Sequence, residues 1–185
     1  RWQSFENPTA GPGLAAKTNQ GAKGRPYEVL EPGETLTLLN IRGSGVVRRM
    51  WLTLDHPHPE ALRYIRLDMY WERREKPAVS VPLGDFMGSP LGDMRAFETE
   101  LFANPEGRSF NCYIPMPFRE AARITITNEN PNNAPENRHR IFYDVNVTLE
   151  ESMPEDMLYF HAHWRRERPT EISIREATRY RHEQL

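Results

Sequence analysis

An all-β fold, a single jelly-roll sandwich of about eight to nine antiparallel strands, is what this sequence predicts. Three observations carry that reading. Apolar and polar residues alternate with period two in segment after segment, the pattern of strands buried on one face. Clusters of Gly, Pro, Asn and Asp punctuate the segments at short intervals. No strand–helix–strand rhythm appears, and neither a phosphate-cradling glycine loop nor a nucleophile elbow is present. The organisation expected is a loop or arm over 1–26, the sandwich over 27–170 and a charged helical tail over 171–185.

The elements follow in order. Residues 1–26 hold four glycines and three prolines, too many for a stable strand or helix, and read as a flexible arm or an ordered binding loop. Val29 to Glu34 reads as a strand end and a turn. Residues 35–41 alternate Leu36 and Leu38 against Thr35 and Thr37, and Gly43-Ser44-Gly45 is a turn or bulge. A long strand over 46–54 places Val46, Met50, Leu52 and Leu54 on one face and Arg49, Trp51 and Thr53 on the other. His56-Pro57-His58-Pro59 ends it as a solvated turn.

The next strand, over 62–72, sets Ile65, Leu67, Met69 and Trp71 against Tyr64, Arg66, Asp68, Tyr70 and Glu72. A polar turn over 73–77 reverses the chain. Val79, Val81 and Leu83 then lead into a segment where Gly84 and Gly88 bracket Asp85 and Phe86 on a tight backbone. Residues 89–107 are irregular, and a stretch of that length is usually functional or partner-bound. A short strand over 110–114, a rigid corner over 115–120 and a strand over 123–129 follow. In the last of these Ile124 and Ile126 point in and Thr125 and Thr127 point out. The clearest alternation is Ile141, Tyr143, Val145, Val147, Leu149. After an acidic loop, 157–164 reads as a last strand. The tail carries a weak apolar stripe of Ile172, Ile174, Ala177 and Tyr180.

Composition narrows the function. The chain has 185 residues and a net charge of −2, with acids and arginines interspersed, so nothing draws it to nucleic acid or to an anionic membrane. No apolar run approaches the ~20 residues of a membrane span, and no signal peptide is present, which fits a cytoplasmic or a secreted protein. The sequence opens at Arg1 rather than methionine. Cys112 stands alone, so no internal disulfide and no cysteine zinc site can form; it reads as a small buried strand residue. His56 and His58 precede prolines, and His161 and His163 share one strand face. Neither pair has a third ligand in sight, so no metal and no other cofactor is expected. No Ser/His/Asp triad can be assembled.

Carboxylates are the plausible catalytic groups. Glycoside hydrolysis needs two, ~5 Å apart for retention and ~6.5–9.5 Å apart for inversion. Asp68, Glu72, Asp85 and Glu129 lie at strand ends or beside aromatics, and Glu72, Asp85 and Glu129 are the candidates for catalysis. Tyr70, Trp71, Phe86 and Trp164 are flat partners for a sugar ring. Each acid also has a plainer reading as a solvated or arginine-paired group, as Asp68 has with Arg66 or Arg123.

Several blocks occur together in a fixed order. They are ENPT near the start, EPGETL from Glu31, GSGVVRRMWLTL from Gly43 and MYWER from Met69. After them come PAVSVPLGDFMGS from Pro77, FNCYIPMPFREAARITITNENP from Phe110 and FHAHWRRERPTE from Phe160. In this order they resemble glycoside hydrolase family 172, over nearly the whole chain to about Thr170. The resemblance implies a subunit of two jelly rolls, assembly through trimers, and chemistry on furanosides: difructose dianhydride formation and hydrolysis, fructofuranosidase and arabinofuranosidase activity. It also implies that the two catalytic glutamates lie in tryptophan-glycine-glutamate and glycine-threonine-glutamate-aspartate blocks. Neither block occurs in these 185 residues, so no nucleophile or acid/base is carried over. Glu72 stands where the resemblance implies aspartate after the Tyr-Trp pair.

The expectation is therefore the N-terminal jelly-roll half of a furanoside-acting enzyme, with Tyr70, Trp71, Glu72, Asp85 and Phe86 shaping a sugar pocket. Its partners would be further copies, as a trimer or hexamer, or a second chain carrying the other half. The alternative is a non-catalytic structural or carbohydrate-binding jelly roll forming a symmetric oligomer. The missing glutamate blocks favour the alternative, and the Gly84 to Gly88 loop favours the first reading.

Overall fold

Alternating apolar residues have to be buried on one face only, and two sheets closing on each other is how this chain does it. The computed structural model describes residues 1–22 and 24–167. In chain order the elements are β1 (Trp2–Gln3), β2 (Glu28–Leu30), β3 (Thr35–Arg42), β4 (Ser44–Leu54), α1 (Pro59–Tyr64), β5 (Ile65–Trp71), β6 (Val79–Pro82) and α2 (Leu83–Phe86). They continue with β7 (Phe97–Glu98), β8 (Phe102–Asn104), β9 (Phe110–Cys112), β10 (Met116–Phe118), β11 (Ala121–Asn128), β12 (His139–Glu150) and β13 (Ala162–His163). One sheet runs β1-β12-β4-β9-β8-β7, with β10 also on β4 and β2 on β12; the other runs β13-β6-β5-β11-β3. The inner faces share one core, where Val47, Met50 and Leu52 meet Leu39, Leu67 and Ile124. This is the predicted all-β sandwich.

Two of the places where the chain passes between the sheets are short corners, Gly43 between β3 and β4, and residues 119–120 between β10 and β11. The Gly43 N–H donates to the Glu120 carbonyl at 2.8 Å, which ties the corners together. The N-terminal residues join the sandwich: β1 pairs with β12, and Phe5 packs edge-on against Tyr143, ring centres 4.6 Å apart.

The structure differs from the sequence reading in several places. A register shift in the β4–β12 ladder pairs Arg49 with Asn146 and Val47 with Val147, leaving Arg48 unmatched. An extra residue reverses the parity of a strand, so Val47 rather than Val46 joins Met50 in the core. The same happens in β3, where Leu39 pairs with Ile124 and Thr37 with Thr125, so that adjacent Leu38 and Leu39 are both buried.

Residues 62–64, expected in a strand, end helix α1. His58 is extended, its Nδ1 accepts the Ala61 N–H at 3.3 Å, and Pro59 opens the first turn. The expected solvated turn at 56–59 is thus in part a helix cap. Residues 83–86 form a single helical turn, and the stretch 89–107 contributes β7 and β8. Of the last expected strand only Ala162 and His163 pair, and they run parallel to β6 instead of antiparallel. The expected helical tail lies outside the described residues. Among the described residues no helix is long and apolar enough to cross a membrane.

Candidate functional site

The β5–β6 hairpin carries two consecutive non-glycine residues in the left-handed region. Glu72 and Arg73 have φ of 57° and 58°, and the Arg74 N–H closes the turn on the Trp71 carbonyl at 3.1 Å. Two left-handed central residues are the signature of a type I′ turn, which normally takes Asn-Gly. Placing Glu and Arg there costs on the order of 1 kcal/mol each.

The Glu72 side chain offsets that cost. Its carboxylate accepts the N–H groups of Arg119 at 2.6 Å, Glu120 at 2.6 Å and Ala121 at 3.3 Å. In return the Glu72 N–H donates to the Ala121 carbonyl at 3.0 Å. Both carboxylate oxygens are thus occupied, and they fasten the hairpin to the corner where the chain changes sheets.

The hairpin tip separates two depressions. The larger, about 720 Å³, lies between residues 72–78 and the segment 159–161; Trp71, Lys76, Tyr159 and His161 line it. Trp71 is only 4 % exposed, and its Nε1–H donates to the Phe160 carbonyl at 2.7 Å, so the indole holds that segment in place. Arg119 secures the same segment: its Nη1 donates to the Tyr159 hydroxyl at 3.3 Å, and its Nη2 to the carbonyls of Pro154 at 2.9 Å and Glu155 at 2.7 Å. The smaller depression, about 300 Å³, opens on the other side of the tip, where Arg123 lies 3.6 Å over the Tyr70 ring.

Trp71 and Glu72 therefore line the larger depression, and Tyr70 lines the smaller one. Asp85 and Phe86 do not join them; they follow the opposite end of β6. There Gly88, at φ 81°, terminates α2, and the Ser89 N–H returns to the Gly84 carbonyl at 2.7 Å. A Cβ on Gly84 would meet the Leu62 Cβ and the Ser89 carbonyl at 2.9 Å, so α2 packs on α1 only through glycine. Asp85 receives the Trp164 Nε1–H at 3.1 Å and pairs with Arg63 Nη1 at 3.1 Å. Phe86 sits edge-on between Phe102 and Phe160.

Glu129 lies at the far end of β5, where its N–H donates to the Tyr64 carbonyl at 2.9 Å. The length of β5 separates it from Glu72 by roughly 20 Å at strand rise, well beyond the ~6.5–9.5 Å of a two-carboxylate mechanism. Arg66 bridges Glu129 and Asp68, donating to Asp68 at 2.8 Å. Arg66 is therefore the partner of Asp68, and Arg123 goes to Tyr70 instead.

Sequence reasoning missed Tyr159, Lys76, Arg119 and the arginines of the tip. The turn residues were visible, but their meeting with 119–121 and 154–161 depends on long-range packing. Elsewhere, His139 is 2 % exposed, its Nδ1 has no hydrogen-bond partner among the described residues, and its ring lies 5.6 Å from that of His58. Burial, reinforced by His58, holds its pKa below the ordinary histidine value. Burial pushes the Cys112 thiol up to about 11. Among the described residues no three His, Cys, Asp or Glu side chains are grouped to hold a metal.

A family model described as GH172 domain-like matches residues 24–141. The matched span contains the hairpin, the 119–121 corner and α2; the 159–164 segment follows it. No curated protein matches the chain.

Proposed function

The chain belongs to the GH172 domain-like family, and from that membership we propose that it is a carbohydrate-contacting jelly roll of a furanoside-acting glycoside hydrolase assembly. The observation that carries this reading is the 720 Å³ depression beside the hairpin, which falls in the size range of small-ligand sites. It combines a phenol, an imidazole and an ammonium group around a half-open space, with Tyr159 held by Arg119. An aromatic ring set among polar donors suits a furanose, whose ring carbons are apolar and whose hydroxyls need partners.

The contribution is binding rather than acid–base chemistry. Glu72 is engaged by three backbone N–H groups, Asp85 by Trp164 and Arg63, and Glu129 by Arg66. These internal bonds equally favour the second reading, a structural sandwich in a symmetric oligomer without a sugar. Calorimetric titration with methyl arabinofuranoside and methyl fructofuranoside separates the two. Saturable binding that falls about tenfold in Tyr159→Ala is expected, the weight of one aromatic contact. No binding to either sugar would leave only the structural reading.

The same proposal includes self-association as a trimer or hexamer. That part rests on the family membership, since Leu91 and Leu158, 85 % and 84 % exposed, are single apolar side chains of the kind any surface carries. A monomeric mass in native mass spectrometry at micromolar concentration rules assembly out.

A further inference from the structure

The smaller depression has an unbalanced charge. Arg42, Arg73, Arg74 and Arg123 line it, against the single acid Glu75. Several arginines elsewhere in the sandwich are matched with acids: Arg49 with Asp144, Arg63 with Asp85, Arg66 with Asp68. Among the described residues none of the four here has a carboxylate within ion-pair distance. Two acids of the same strand and turn are committed elsewhere, Asp68 to Arg66 and Glu72 to the backbone of 119–121.

Arg123 is the anchor. It is half-buried, and its guanidinium plane is fixed by the Tyr70 ring 3.6 Å away. Cross-strand pairing sets Asn40 and Tyr70 on either side of it in one row. Arg42 follows Asn40 on the same face of β3, and Arg73 and Arg74 approach from the strained turn. A half-buried cation without a counter-charge, among three like charges, is unfavourable for the bare fold. Guanidinium forks match the paired oxygens of carboxylate and phosphate.

We infer that the depression between β3, β11 and the hairpin tip is an oxyanion site, made to take a phosphoryl or carboxylate group on a small ligand. The inference rests on charge and geometry and does not require the larger depression to bind a sugar.

The test is calorimetric titration of the whole chain with sodium phosphate, sodium D-galacturonate and neutral D-galactose at one ionic strength. Saturable binding of at least one of the two anions is expected, with none of galactose. A tighter phosphate assigns the site to a phosphoryl group, and a tighter galacturonate to an acidic sugar. Affinity should fall about tenfold in Arg123→Gln and in the double variant Arg73→Gln/Arg74→Gln, the loss of one charge-assisted contact or more. It should be unchanged in Arg108→Gln, whose arginine pairs with Glu106 on the other sheet's side of the molecule. The double variant changes only exposed turn residues and decides the matter even if Arg123→Gln does not fold. Absence of saturable binding for both anions, or affinity untouched in the double variant, overturns the inference.

Discussion

Removing the Glu72 side chain takes three acceptor bonds from the backbone of residues 119–121 at once. A carboxylate bond to backbone N–H is worth more than a neutral one, and the freed N–H groups recover part of the loss from water. Glu72→Ala should therefore lower unfolding stability by about 2 kcal/mol, read from urea denaturation; a loss below measurement error would show that the clamp is idle. His139 gives a pH dependence. Its pKa is lowered in the folded state, so below the unfolded value of about 6.5 the unfolded chain binds more protons. Stability should be full above that pH and decline as the solution is acidified through it. The groups around His139 are His58, Asp55 and His56, and replacing His139 by Gln should flatten the decline. A profile equally steep in His139→Gln would place the titration elsewhere. Cys112, buried and with its thiol pushed up to about 11, should react with a thiol reagent only on unfolding.

At the scale of elements, the hairpin and the α1–α2 pair are the tuned parts. Arg73→Gly supplies the residue that a left-handed position prefers and should raise stability by about 0.5–1 kcal/mol, while cutting anion binding at the tip. Gly84→Ala should destabilise by at least about 1 kcal/mol, because its Cβ meets backbone and Leu62 in a packed contact. Thermal melts of the two variants should move in opposite directions. The strands themselves were legible from residue order: Ile65, Leu67, Met69 and Trp71 are all buried, as are Ile141, Tyr143, Val145 and Val147. What could not be read was parity after a bulge. The extra residues Arg48 and Leu38 leave the apolar run looking regular while moving Val47 and Leu39 inward. Helix α1 was hidden because Tyr64 continues the polar face of β5; Leu62 and Arg63 break that parity, and the His58 cap and Pro59 mark the change.

For the whole molecule, the sandwich was legible because hydrophobic period alone specifies two opposed sheets. The candidate site was legible in part. Trp71 and Glu72 line the larger depression and Tyr70 the smaller one, while Asp85 with Phe86 and Glu129 lie at other strand ends. No local pattern tells how far apart strand ends fall once the sheets close. The role of Glu72 was equally invisible, because its partners are backbone N–H groups nearly fifty residues away. A two-sheet scaffold with every candidate acid internally bonded suits a chain that holds a ligand in place.

The most direct measurement of that account is turnover of p-nitrophenyl arabinofuranoside by the wild-type chain beside Glu72→Gln, Asp85→Asn and Glu129→Gln, with sugar binding titrated on the same samples. The account predicts sugar binding by the wild type and no turnover by any of the four. Turnover by the wild type that is abolished in one of the three variants, while that variant still folds and binds, would contradict it and make that carboxylate catalytic.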